Sequence, residues 1–175
     1  MRFIRGFIWA LILLILAAAA IIISGFYNVA ATQADPGIVQ WLLGYIKDRS
    51  VSRHAGGGAA PAPLTDAQAR DGFRFYNEAC IYCHGAPGKD PSDIGKGLNP
   101  EPPFLPDTVK RWTSAELFWI VKNGIKMTGM PAFGPSHKDE EIWSAVAFAQ
   151  RLPKMTAEQY TALEQNPAAA PLPAP

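Results

Sequence analysis

The chain has 175 residues, with 16 Lys+Arg set against 15 Asp+Glu. A formal net charge of +1 gives no footing for a nucleic-acid binder, and 49% hydrophobic residues exclude wholesale disorder. Two cysteines exclude a disulfide-dense scaffold, while 16 Pro and 15 Gly point to long stretches without regular structure.

The first 34 residues carry only Arg2 and Arg5 as charges. Phe7 to Phe26 is an uncharged run of Phe, Ile, Trp, Leu and Ala. At about 1.5 Å per residue, a helix of that length spans roughly the 30 Å hydrocarbon core of a bilayer. Residues 1–26 therefore read as an N-terminal transmembrane signal-anchor in contact with membrane lipid. The positive-inside rule puts Arg2 and Arg5 in the cytoplasm and everything after Phe26 outside. The expected location is a bacterial cytoplasmic membrane, crossed once, with the rest of the chain periplasmic. The alternative is a cleaved signal peptide, with Val29-Ala30-Ala31 or Thr32-Gln33-Ala34 as a small-residue cleavage site. The apolar run is longer than the usual signal core, which favours an uncleaved anchor.

Residues 27–53 form a juxtamembrane segment. Ile38, Trp41, Leu42 and Tyr45 recur at helical spacing, Asp35-Pro36 offers a start, and the end is basic with Lys47, Arg49 and Arg53. The pattern predicts a short amphipathic helix over Ile38 to Ile46, lying on the outer membrane surface or docked against another membrane subunit. Residues 54–64 have the Gly/Ala/Pro composition of a linker and are expected to let the following domain move. Residues 65–153 form the globular part, 154–166 a short C-terminal helix, and 167–175, made of Pro, Ala and Leu, an expected disordered tail.

The globular part opens with Thr65-Asp66-Ala67-Gln68, a capping-box pattern. A helix follows, with Gly72 and Tyr76 four apart. Cys80-Ile81-Tyr82-Cys83-His84 then holds both cysteines. A Cys-x-x-Cys pair also serves in thioredoxin-like redox sites and zinc sites. The first wants a βαβ pattern, which is missing here, and the second wants two further ligands. With a His directly after the second Cys, the motif is the c-type haem attachment site. The two thiols meet the two vinyl groups of one haem c, and His84 supplies the proximal iron ligand. Export of the domain agrees with this, since such attachment occurs outside the cytoplasm. For the sixth ligand, Met130 in Gly-Met-Pro-Ala-Phe-Gly is preferred over Met127, and Met155 reads as a packing residue.

Thr113-Ser114-Ala115-Glu116 is a second capping box, opening a helix to about Asn123 with Gly124 as its stop. Trp112, just before it, reads either as a propionate hydrogen-bond donor or as an ordinary buried aromatic. Asp139 to Arg151 is a further helix, and Thr156-Ala157-Glu158-Gln159 starts the last one.

On these residues the segment from about Thr65 to Leu152 resembles a class I c-type cytochrome. The features that carry the resemblance are Gly72, Tyr76 and Cys80, the Cys80–His84 motif, the Met130-Pro131-Ala132-Phe133 loop, and the helix with Trp143 and Phe148. The resemblance implies an all-α fold wrapped around one covalent haem. It implies that Gly72 packs against the Phe148 region and that a proline carbonyl, best placed at Pro103, accepts the free N–H of His84. Leu105 and Phe133 are further expected haem contacts. It also implies a monohaem electron carrier and no catalytic residues. The carrier would shuttle single electrons between respiratory donor and acceptor proteins on the periplasmic side. Lys89, Lys96, Lys122 and Lys126 offer a weak docking patch. The alternatives are a fixed cytochrome subunit of a dehydrogenase or terminal oxidase complex, and, further off, a haem enzyme or a gas or redox sensor.

Overall fold

The structure, a computed structural model, describes residues 2–56 and 64–174. The chain divides into two units, Met1–Gln33 and Ala34–Pro175. Among the described residues every regular element is helical, as the capping boxes and the 3.6-residue periodicity require.

The first unit is α1, Arg2–Ser24, a single helix with every side chain at its surface. It is long and apolar enough to cross a membrane. Its branched and aromatic side chains surround the whole cylinder, so it presents no polar face to water.

The second unit starts with α2, Gly37–Ala55. This is twice the length that the apolar pattern alone suggests. The continuation carries no apolar stripe because it is held by packing on the globular part. Val51 and Ala55 are buried, Asp48 pairs with Arg111 at 3.0 Å, Ser52 Oγ donates to Glu116 at 2.6 Å, and the His54 ring stacks on Trp119. Residues 57–63, the bulk of the expected linker, lie outside the described residues. On either side of them, α2 packs on Glu116 and Trp119.

The haem-motif domain is built on α3, Asp66–Phe75, and α8, Asp139–Ala149, which cross closely. Gly72 makes the crossing: a Cβ there would lie 1.8 Å from the carbonyl oxygen of Ser144, so only glycine fits. The contact falls one turn before Phe148, whose ring packs edge-on to Phe73 at 5.4 Å and also against Tyr76. α9, Ala157–Gln165, adds Tyr160 and Leu163 to the same core, and Phe73 meets Tyr160 at 5.6 Å. Met155 is buried there as a packing residue. α7, Ser114–Asn123, is joined to α8 by the stacked Phe118 and Trp143 rings, 4.3 Å apart. The capping boxes at Thr65, Thr113 and Thr156 all form.

Residues 167–174, expected to be disordered, are instead docked. Arg70 Nη1 donates to the carbonyls of Pro167 and Ala170 at 2.8 Å each, Ala170 is buried, and Leu172 packs on the core. Low-complexity composition gave no hint of Arg70 reaching across to catch those carbonyls.

Candidate functional site

Helix α3 runs into one π turn, Tyr76–Cys80, in which the N–H of Ile81 reaches back to the Tyr76 carbonyl. The wider turn shifts the helical register by one residue just ahead of the two cysteines. A last turn, α4, Ile81–His84, then carries Cys83 and His84. The backbone of this motif is fastened on both sides. Tyr76 Oη donates to the Gly85 carbonyl at 2.6 Å, and Ser92 donates to the Tyr82 carbonyl through its N–H and hydroxyl. The short α5, Asp93–Lys96, lies against it so closely that a Cβ on Gly95 would stand 2.9 Å from Cys83 Cα.

His84 Nδ1 lies 2.8 Å from the Pro103 carbonyl. A carbonyl only accepts, so Nδ1 carries the proton and Nε2 keeps its lone pair. Burial lowers the His84 pKa, opposed by the Pro103 carbonyl, and the neutral imidazole is the form that binds a metal. Leu105 opens α6, Leu105–Thr108, and rests half-buried on the core directly after this loop.

Both cysteines are free thiols at partly exposed positions. The Cys80 thiol nevertheless sits deep enough that burial, with Cys83 beside it, pushes its pKa up to about 12. A buried thiol of this kind does not resemble the poised exchange thiolate of a thioredoxin-like site.

The methionine loop hangs from α7. Phe133 N–H donates to the Val121 carbonyl at 3.1 Å and Gly134 N–H to the Lys122 carbonyl at 2.9 Å. Inside the loop, Ile125 N–H donates to the Met130 carbonyl, and Met130 N–H to Thr128 Oγ1 at 3.1 Å. Met130 is half-buried, whereas Met127 is 84% exposed at a φ of +58°. Gly129 lies against Leu98, two residues past α5.

These residues fit a covalently held haem c. Two unbonded thiols and an imidazole with its distal nitrogen free stand on one short stretch of helix, and Gly129 of the thioether loop touches Leu98, which follows α5. Beyond residue 63, the large apolar side chains left exposed are Tyr82, Ile94, Phe104 and Met127, all on segments that carry or flank these donors. Trp112 and Phe133, also expected at the haem, have protein side chains beside them. The Trp112 ring lies 5.6 Å from Lys47 Nζ and 5.3 Å from the Arg111 guanidinium, on the side that meets α2. Phe133 forms an aromatic trio with Phe75 and His137. The expected lysine patch is largely neutralised: Lys89 pairs with Glu164, Lys96 with Asp90 and Lys122 with Asp139.

Sequence reasoning missed the clasp formed by Ser92, Gly95 and Leu98. Ser92 caps α5, but four residues of helix are too short to show a period.

Comparison with known families matches residues 67–148 to the family described as cytochrome C oxidase, cbb3-type, subunit III. A search of curated proteins gave no match. The matched span begins in α3, takes in the Cys80–His84 motif and the Met130 loop, and ends at Phe148 in α8.

Proposed function

We propose that this chain, a c-type cytochrome through residues 67–148 with haem c as its cofactor, is a membrane-anchored one-electron carrier working outside the cytoplasm between protein partners of a respiratory chain. The observation that carries the reading is the donor set. His84 is held as a neutral ligand by the Pro103 carbonyl, beside two thiols suited to covalent attachment and a thioether loop. Bound haem c supplies a reversible one-electron iron couple.

The chain's own residues do the rest. Cys80 and Cys83 would hold the group to the helix. Pro103 fixes the plane of the His84 ring and raises its basicity. Met130 would offer a soft sulfur, which would favour the reduced state and raise the potential. Were His84 and Met130 both to hold the haem, they would leave it no place for substrate, which speaks for transfer and against turnover. The membrane role comes from α1, whose length and composition suit a single-pass anchor.

A second reading, a fixed subunit of a terminal oxidase, draws support from the description of the matched family. Native sizing after mild detergent extraction separates the two: a small free particle supports the carrier, and co-migration with a large integral complex supports the subunit. Carbon monoxide added to the reduced protein tests both against an enzyme or gas sensor. A closed electron-transfer site leaves the spectrum unchanged at neutral pH, and rapid adduct formation overturns it.

A further inference from the structure

Helix α2 has two opposite sides. At about 100° per residue, Gly44, Val51 and Ala55 share one of them, with Asp48 at its edge. This is the side packed on the domain through the Asp48–Arg111 pair and the Ser52–Glu116 bond. The other side runs Ile38, Leu42, Tyr45 and Ile46, then Arg49 and Arg53. Its first half is apolar and in water: Ile38 is 69% exposed, Tyr45 56% and Ile46 52%. Tyr45, at its border, stacks on the neighbouring Trp41 ring, 6.0 Å away. Its second half is basic. Arg49 and Arg53 are exposed and pair with no carboxylate among the described residues.

Three observations select a lipid surface as the partner of this side. Only residues 25–36 separate α1 from α2, and so short a segment spans at most about 40 Å fully extended, which confines α2 near any bilayer that α1 crosses. Bulky aliphatic residues with a Tyr suit the boundary between acyl chains and headgroups. The two unpaired arginines on the same side complement anionic lipid phosphates.

We infer that this side of α2 seats on an anionic phospholipid surface, with Ile38, Leu42, Tyr45 and Ile46 in the acyl boundary and Arg49 and Arg53 on the phosphates. The inference rests on the reading of α1 as an anchor. Because α2 is fastened to α7, the seat fixes which side of the haem domain turns to the membrane. Electron exchange then proceeds from one presented side, and the domain does not tumble on a tether.

The test uses full-length holoprotein in vesicles containing phosphatidylglycerol. With Cys80 and Cys83 engaged by haem, a Leu42→Cys substitution provides a single thiol for a fluorescent label. The expected result is quenching by lipids carrying a nitroxide near the headgroup and shielding from a water-soluble quencher. The double substitution R49E/R53E, or vesicles of phosphatidylcholine alone, loses the lipid quenching and opens the label to water. A Leu42 label open to water in the anionic vesicles overturns the inference, and so does a label shielded from both quenchers, since a protein then covers it. A Leu16→Cys label reports on α1 in the same vesicles. If deep-chain nitroxides leave it unquenched, the anchor reading falls and the inference with it; if they quench it while Leu42 stays in water, only the inference falls.

Discussion

Met127 and Met130 stand three residues apart under opposite constraints. Met127 takes a left-handed φ of +58° and turns its side chain to solvent, whereas Met130 is half-buried and hydrogen-bonded through its N–H and carbonyl. A side chain in the left-handed region costs about 1 kcal/mol, which glycine avoids. Met127→Gly is therefore expected to keep the thioether-to-iron band of the oxidised protein in the far red and to leave stability equal or higher by up to about 1 kcal/mol. Met130→Ala should abolish the band. Loss of the band in the first variant and its survival in the second would reverse the ligand assignment. Arg151 poses a different question, because it is 1% exposed. Its guanidinium donates to the Ala147 carbonyl at 2.9 Å and to Asp66 at 2.5 Å, and its Nε has no partner. Asp66→Asn leaves a buried cation without its counter-charge and should destabilise by about 2 kcal/mol. Arg151→Met should cost less, since Asp66, exposed already, returns to water while an apolar side chain fills the core. Denaturant unfolding of the two variants decides the order.

The α2–α7 contact carries its own pH signature. Glu116 is held below the usual carboxylate range, first by the Ser52 hydroxyl and then by the Thr113 N–H of its own capping box. A depressed carboxyl stabilises the folded state above its unfolded value, near 4.3, and that contribution fades as pH falls through the folded value. Around the interface lie Lys47, Asp48 and His54 on α2 and Arg111 ahead of α7, none of them altered by removing the Ser52 hydroxyl. Ser52→Ala should thus lower the urea midpoint at neutral pH, and the gap to the parent protein should close on acidification below about pH 4. A gap independent of pH would show that Ser52 does not act through the Glu116 charge. At this scale the capped helices were readable because Thr65, Thr113 and Thr156 each stand three residues before a Glu or Gln. The second half of α2 was not, since Val51 and Ala55 gain meaning only from the partner they pack on. The π turn at Tyr76–Cys80 was hidden for a similar reason: its sequence fits an unbroken α-helix equally well.

Across the whole molecule, the parts legible in the sequence are those whose chemistry is local: the membrane-length run, the Cys80–His84 motif, the Met130 loop and the glycine at the helix crossing. Contacts between distant segments were not legible, among them Arg70 on the tail carbonyls and Leu98 at Gly129. The same division runs through the energetics of the domain. On one side, α3, α8 and α9 share a protein-only core in which Phe73, Tyr76, Phe148 and Tyr160 interlock, and six of the eleven α8 residues are buried. On the other, α4 and α6 bury no residue and α5 buries only Gly95. Four-residue helices do not persist by themselves, because nucleation costs more than so few hydrogen bonds return. The haem side should therefore depend on the covalent group for its order, and the aromatic side should not. In a C80A/C83A protein, which cannot attach haem, amide exchange should stay slow in α3, α8 and α9. It should become fast across residues 81–108 and 125–134, as local opening with little buried apolar contact predicts. Equal loss of protection on both sides would mean that the aromatic core needs haem as much as the motif does. Full protection on both would mean that the wrapping loops are held by the chain alone, through the Ser92, Gly95 and Leu98 contacts that pin them to the motif.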